Sequence, residues 1–272
     1  MFQRILLPVD PARAFGAANQ YAVDLAHRFD SRIIATYIID DHLLGPVAEE
    51  AHHSIDEALE WVGKDAMDDF VEHHPDLECQ KSLAYGSTPT ALFQMVLQTG
   101  ADTVVLGGFH SRANPHVWGS TVVDIVTHAE RPVFVVRERA ELPGAGDVIV
   151  VPFDGTERPL ANLPRIAKFA KEMGASLDLV YVAKGKEQAG AQAALEKGAW
   201  VCQEHDVPAA THVLRHSPWR PKGRTILNHA RTVQSPLIAL SRLGRSSMHT
   251  GRSRTVTWLL SHCPVPVWVV RK

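Results

Sequence analysis

Cysteine is scarce in this chain of 272 residues: Cys79, Cys202 and Cys263 lie far apart, and no two form a Cys-x-x-Cys pair. Such usage fits a reducing compartment better than a disulfide framework. The sequence also lacks any run of about 18 apolar residues, the length that spans a membrane. The opening residues, MFQRILLPVD, lack the charged segment and the long apolar core of a secretory signal. We therefore expect a cytoplasmic protein with no membrane partner.

An excess of one charge is missing as well, since 28 Lys and Arg residues face 30 Asp and Glu residues. Proteins that bind nucleic acid through a broad electrostatic field carry an excess of positive charge, so we expect no nucleic-acid partner. The motifs Gly-x4-Gly-Lys-Ser/Thr and Gly-x-Ser-x-Gly are absent, and no Gly-x-Gly-x-x-Gly follows a strand pattern. These absences argue against P-loop hydrolases, α/β-hydrolases and dinucleotide-dependent dehydrogenases.

The histidines form no metal-binding pattern along the sequence. His52-His53 and His73-His74 are adjacent pairs in a predicted helix, where neighbouring side chains point about 100° apart. His212 and His216 have the four-residue spacing that shares a helix face, but they lie at the end of a predicted strand. The sequence therefore predicts no metal site.

What the chain does contain is a repeat. The apolar run ILLPVD ends at Asp10, and the similar run VIVVPFD ends at Asp154, 144 residues later. Near the end of each half, four positions of the two repeats align at a constant offset of 134. They are Gly107, His110, Gly119 and Pro132 in the first half, and Ser241, Gly244, Ser253 and Pro266 in the second. We predict a tandem duplication of a domain of about 135 residues, with domains at residues 1–140 and 147–272.

Strand and helix patterns alternate along both halves. The first strand of each half is a short continuous apolar run, which is typical of a strand buried on both faces of a parallel sheet. Strict alternation predicts an α/β fold with open parallel sheets and helices on both faces. The offset falls from 144 to 134, so the first half carries about ten extra residues near Leu44 to His74. We expect one long helix or a helix pair there that projects past the sheet and offers a surface for a second chain.

Two loops of the first half follow strand ends and carry groups that suit a nucleotide. Asp10 follows the first strand and can accept a hydrogen bond from an amino group or a ribose hydroxyl, while Gly107 ends the fourth. If these strands are neighbours, both loops open on one crevice, which is where such sheets bind ligands. Gly119, Ser120 and Thr121 begin a predicted helix whose free N–H groups suit a phosphate.

These residues resemble the universal stress protein family. The resemblance rests on the opening ILLPVD, the Ala- and Leu-rich helix after it, and the glycine loop leading into GST and then RPVFVV. ATP-binding members of that family carry Gly-x2-Gly-x9-Gly-Ser/Thr. The resemblance implies an adenine nucleotide alpha hydrolase-like fold with strand order 3-2-1-4-5 in each half. It also implies an intramolecular pseudo-dimer, in which the last strands, residues 131–136 and 265–270, pair antiparallel.

The resemblance further implies a set of residues that bind ATP, with Mg²⁺ as an accompanying ion. Pro8 and Asp10 would lie near the base and ribose, and Ile38 would pack against the adenine. The phosphates would be held by Gly107, Gly119, Ser120 and Thr121. His110 replaces the second glycine of the motif, and eight residues rather than nine separate it from Gly119. His110 would either clash with a phosphate or contact it as a cation.

In the second half the motif is degraded. Serines stand at two of its glycine positions, Ser241 and Ser253, and Arg254 replaces the hydroxyl residue. We expect at most one adenine nucleotide per chain, bound in the first half. Three function classes stay open: a stress-response regulator that acts through a protein partner or a second copy of the chain, a scaffold that binds no nucleotide, and a slow ATP hydrolase using Asp10 or His110. No catalytic residue is assigned.

Overall fold

A computed structural model describes residues 1–11, 16–40, 49–107, 110–111, 114–118, 120–137, 140–184, 188–217, 219–241 and 254–271. The strands are β1 (Arg4–Pro8), β2 (Arg32–Ile39), β3 (Cys79–Tyr85), β4 (Thr103–Gly107), β5 (His110–Ser111), β6 (Asn114–Trp118), β7 (Val133–Val136), β8 (Val148–Pro152), β9 (Ser176–Ala183), β10 (Ala209–Arg215), β11 (Ile238–Ser241) and β12 (Val267–Val270). The helices are α1 (Ala17–Phe29), α2 (Glu49–His73), α3 (Thr88–Thr99), α4 (Ser120–His128), α5 (Glu157–Met173), α6 (Gln188–Glu204), α7 (Lys222–Thr232) and α8 (Arg254–His262).

One 10-stranded sheet runs through the whole molecule, in the order β10-β9-β8-β11-β12-β7-β4-β1-β2-β3. Each half contributes five strands in the predicted order 3-2-1-4-5, with β7 and β12 as the fifth strands. Neighbouring strands within each half are parallel. Between the halves, β12 pairs with β7 antiparallel. The predicted pairing of the two last strands is confirmed, and it covers two sheet edges that would otherwise be open.

A local two-fold axis passes through this junction. Phe134 and Trp268 occupy the same position in the two repeats, and they face each other directly across the β7–β12 pair. Their rings stack with centroids 5.1 Å apart and planes within 2°. Because each strand presents the equivalent position to its counterpart, the contact resembles a symmetric dimer interface.

Aromatic side chains from both halves close around the stacked pair. The Phe169 ring lies 4.9 Å from the Trp268 ring, and the Phe2 ring lies 6.0 Å from it. These residues belong to one buried cluster on the face of the sheet that carries α1, α2, α5 and α6. A second buried cluster, on the face that carries α3, α4, α7 and α8, also draws from both halves. The two halves therefore share their cores.

Two arginines link the halves reciprocally. Arg271 donates to the carbonyls of Val126 and Thr127, at 3.0 and 2.8 Å, in the last turn of α4. Arg137, at the matching position of the first half, donates at 3.0 Å to the carbonyl of Ser261 in the last turn of α8. The last carbonyls of a helix lack partners within the helix and carry partial negative charge, so each guanidinium stabilises the helix end of the other half.

The extra residues of the first half lengthen α2, as predicted. This helix has 25 residues, whereas its counterpart α6 has 17. Its second half is held to the sheet by buried Ala66, Met67 and Phe70, while Trp61 is 65% exposed. Neither α2 nor any other helix in the described residues is both long and apolar enough to cross a membrane.

Gly63 brings α2 close to the sheet. A Cβ atom at this position would lie 2.1 Å from the Tyr37 ring, so any side chain would displace the helix or the ring. By contrast, a Cβ atom built on Gly190, in α6, would have no neighbouring atom within 4 Å.

We expect opposite effects when these two helical glycines are replaced by alanine. Gly63→Ala should lower the free energy of unfolding by about 1–3 kcal/mol, because overpacking outweighs the gain in helix propensity. Gly190→Ala should raise it by about 0.5–1 kcal/mol through propensity alone. Urea denaturation of both variants measures the difference. A stabilising Gly63→Ala would show that α2 does not pack tightly on Tyr37.

Candidate functional site

Three strand ends of the first half meet at one edge of the sheet. β1 lies between β2 and β4 and is parallel to both, with Pro8 opposite Thr36 and Leu6 opposite Val104. The condition on which the predicted site depended, that the first and fourth strands be neighbours, is met. The strand order reverses at β1 and β4, and open parallel sheets bind ligands in the crevice beyond such a reversal.

Asp10 lies at the mouth of this crevice. The backbone N–H of Val9 donates to the Thr36 carbonyl at 2.9 Å, so the pairing with β2 extends past the end of β1 and brings Asp10 alongside Ile38. Asp10 is exposed, whereas Pro8 and Ile38 are half-buried. Burial raises the pKa of Tyr37, and the negative charge of Asp10 adds to the rise.

Asp40 is a further candidate site residue, which the sequence reasoning missed. It follows the last residue of β2, and its Oδ2 accepts hydrogen bonds from the backbone N–H and the hydroxyl of Thr88, at 3.1 and 3.0 Å. The other oxygen, Oδ1, is buried and receives no hydrogen bond from the described part of the chain. A buried carboxylate oxygen without a donor is costly, so Oδ1 is suited to accept from an amino group or a hydroxyl of a ligand. The only sequence signal was an aspartate directly after a strand.

Gly107 is the last residue of β4 and lies close to α1. A Cβ atom there would lie 3.3 Å from Cβ of Ala18, so α1 approaches the strand closely. In the second half the same two positions hold Ser241 and Asn162. Both are buried, and the Asn162 side-chain amide donates to the Ser241 hydroxyl at 2.6 Å. A hydrogen-bonded polar pair thus replaces the glycine–alanine contact of the first half.

Asp154 is the counterpart of Asp10 in the second half, and it has a hydrogen-bond partner two residues away. Its Oδ1 accepts from the backbone N–H of Thr156 at 3.1 Å and from the Thr156 hydroxyl at 2.6 Å. This arrangement is a short aspartate turn that leads the chain into α5. The presence of an aspartate after both first strands is therefore compatible with a structural role in the second half.

The segment predicted as a glycine loop contains a β-hairpin, in which β5 pairs antiparallel with β6 and His110 faces Trp118. β6 lies against α4 and also against α8 of the second half. Ser120 and Thr121 begin α4, which starts at the crevice edge of the sheet because it leads back to the parallel strand β7. For His110, Ser120 and Thr121 the structure gives the backbone position only. Gly119 lies outside the described residues.

The chain resembles known proteins over its whole length. The family model described as "Universal stress protein family" matches residues 1–137. A universal stress protein of Methanocaldococcus jannaschii is 22% identical over 142 residues, which cover 51% of this chain and 84% of that protein. A universal stress protein structure from Archaeoglobus fulgidus covers 98% of both chains with a TM-score of 0.75 at 17% identity. A putative universal stress protein from Pseudomonas aeruginosa covers 99% of this chain and 93% of its own, with a TM-score of 0.71 at 13% identity. From the family match and the shared fold, the chain belongs to the universal stress protein family.

Proposed function

We propose that the first half binds one adenine nucleotide, with ATP as the leading candidate, and that the protein regulates a stress response through a partner rather than by turnover. The observation that carries this proposal is the convergence of Asp10 and Gly107 on one crevice at the strand-order reversal, since β1 and β4 are neighbours. The family membership of residues 1–137 supports the same ligand class.

The residues of the crevice divide by chemistry into two ends. At the β1–β2 end, Pro8 and Ile38 offer apolar surface to the base, and Asp10 accepts from a ribose hydroxyl. Asp40 adds a second acceptor, because its Oδ1 is buried without a donor from the described residues. This end suits an adenosine group, which carries both an amino group and two ribose hydroxyls.

The β4–α4 end suits phosphate. Gly107 leaves the backbone bare at the strand end, and α4 begins with Ser120 and Thr121 at the same sheet edge. Backbone N–H groups at a helix N-terminus and two hydroxyls are donors for phosphate oxygens. In this proposal Gly119 allows the close approach, and His110 of β5 contacts the phosphates as a cation. A Mg²⁺ ion would be held mainly by the phosphates themselves.

The second half takes no nucleotide in this proposal. The Asn162–Ser241 hydrogen bond takes the place of the Gly107–Ala18 contact, and Thr156 donates to the Asp154 carboxylate. Arg254, the first residue of α8, stands at the position of Ser120. The two halves, residues 1–140 and 147–272, then act as an intramolecular pseudo-dimer with one working site. The exposed side of α2, with Trp61 on it, is the proposed contact for a protein partner or a second copy of the chain.

Thermal unfolding with ATP, AMP and cyclic AMP tests the proposal, with Asp10→Ala and its counterpart Asp154→Ala as matched variants. A ligand that binds only the folded state raises the midpoint temperature, and at about 100 times Kd it adds roughly 2.7 kcal/mol. We expect at least one nucleotide to stabilise the wild type and Asp154→Ala, and to stabilise Asp10→Ala less. No shift with any nucleotide would favour the scaffold, and a shift lost only in Asp154→Ala would place the site in the other half.

A further inference from the structure

Three side chains of the second half converge away from the nucleotide crevice. Asp178, the third residue of β9, is buried with its side chain 2% exposed. Nδ1 of His212 lies 2.8 Å from its Oδ1, and Nε2 of His229 lies 2.7 Å from its Oδ2. The ligand atoms of the three residues all lie within 4.8 Å of one another. We call these residues the Asp178 cluster.

The tertiary structure brings the cluster together from three elements. The two histidines are 34 and 51 positions from Asp178 along the chain, in β10 and α7. For this reason no spacing in the sequence indicated it. Asp178 and His229 are enclosed, while the His212 side chain is 48% exposed and forms the opening to solvent.

The first half has a different trio at the same three positions. Leu6 pairs with Ile34 as Val150 pairs with Asp178, so Ile34 is the counterpart of Asp178. By strand register Ser82 is the counterpart of His212, and by the offset of 134 Met95 is the counterpart of His229. Ile34 is fully buried, and the Ser82 hydroxyl lies 3.7 Å from the Met95 sulfur.

Where the first half has an apolar core residue, the second half has a carboxylate, and two imidazoles stand at the neighbouring positions. A buried carboxylate is expensive unless it is paired or bound to a metal. The same fold is complete with the trio of the first half, so packing alone does not require the Asp178 cluster.

We propose that the Asp178 cluster binds one divalent transition-metal ion of the Zn²⁺ type. Two imidazole nitrogens and one carboxylate oxygen are a Zn²⁺ ligand set, with the fourth, solvent-facing position filled by water. Tetrahedral ligands at about 2.1 Å from the ion are roughly 3.4 Å apart. The three ligand atoms lie within 4.8 Å of one another, so shifts of about 1 Å bring them to that spacing. Mg²⁺ and Ca²⁺, which prefer oxygen ligands, are disfavoured by the two nitrogens.

Binding of the ion requires lone pairs where the cluster without metal has hydrogen bonds. Nδ1 of His212 and Nε2 of His229 donate to the carboxylate when they carry the proton. In the metal-bound form each neutral ring carries its proton on the other nitrogen, Nε2 of His212 and Nδ1 of His229, and the two freed nitrogens coordinate the ion. The ion then joins α7 to strands β9 and β10, so its binding stabilises the second half of the chain.

The test uses the full chain stripped of metal with a chelator, and Zn²⁺ as the titrant in calorimetry. Substitution by Co²⁺ gives an independent readout, because its visible absorption is strong in tetrahedral sites and weak in octahedral ones. We expect one ion per chain and a tetrahedral Co²⁺ spectrum. His212→Ala, at the half-exposed member, should weaken binding by at least about tenfold, since one ligand of three is lost.

Two further variants control for folding and for surface histidines. The triple change Asp178→Ile, His212→Ser, His229→Met installs the residues of the first half, so it should fold while losing the ion and the spectrum. His128→Ala removes an exposed histidine outside the cluster and should change neither readout. The proposal is overturned if the stripped wild type binds no Zn²⁺ when the ion is present at about 100 μM, a concentration that fills even a weak metal site. It is equally overturned if binding and spectrum persist in the triple variant.

Discussion

Trp268→Ala should lower the free energy of unfolding by about 3–5 kcal/mol, the cost of removing a large aromatic side chain from a packed core. Trp268 is fully buried, stacks on Phe134, and contacts Phe169 and Phe2. It lies beside the local two-fold axis, so its loss opens a cavity in the cluster that both halves share. Typical domains are stable by only about 5–15 kcal/mol, and this one change removes a large part of that.

Trp268→Phe is the matched control, because it installs the residue found at position 134 of the first half. It keeps an aromatic ring in the stack and removes an indole N–H that has no hydrogen-bond partner in the described part of the chain. We expect a smaller loss than in Trp268→Ala, about 1–2 kcal/mol, because the ring stack is kept and only part of the indole volume is removed. Urea denaturation followed by fluorescence and circular dichroism should give one coincident transition for the wild type. Two separate transitions, or a small effect of Trp268→Ala, would show that the halves fold independently of this junction.

Gly119→Val and Ser120→Ala should each weaken nucleotide binding by roughly ten- to hundredfold, since a hydrogen bond to a charged group contributes about 1.5–3 kcal/mol. In the proposed site Ser120 donates from the start of α4, and Gly119 leaves room for backbone N–H groups to reach the phosphates. The matched changes Ser253→Ala and Arg254→Ala, at the corresponding positions of the second half, should leave affinity unchanged.

Calorimetry at one fixed salt concentration measures these affinities and the stoichiometry together. We expect one nucleotide per chain. Two equivalent sites would contradict the assignment of binding to the first half alone. A single site that is insensitive to Gly119→Val and Ser120→Ala but lost with Arg254→Ala would show that the second half binds instead.

The sequence predicted the parts of the site that depend on local order. Pro8, Asp10 and Gly107 are found at the ends of β1 and β4, as expected from apolar runs that end in turn residues. The sequence did not indicate the hairpin of β5 and β6, because the segment between Gly107 and Gly119 was interpreted as a loop by its resemblance to a phosphate-binding motif. Asp40 was also missed, since its role depends on Thr88, 48 positions away.

The sequence by itself determined the duplication, the α/β class and the inequality of the two halves. All three can be read from residues that are close along the chain or that align between the two repeats. The tertiary structure alone decided which distant side chains meet. Asn162 and Ser241 are 79 positions apart, and the residues of the Asp178 cluster come from three separate elements. Such contacts are set by strand order and by helix packing across the sheet, and a one-dimensional pattern carries no record of either.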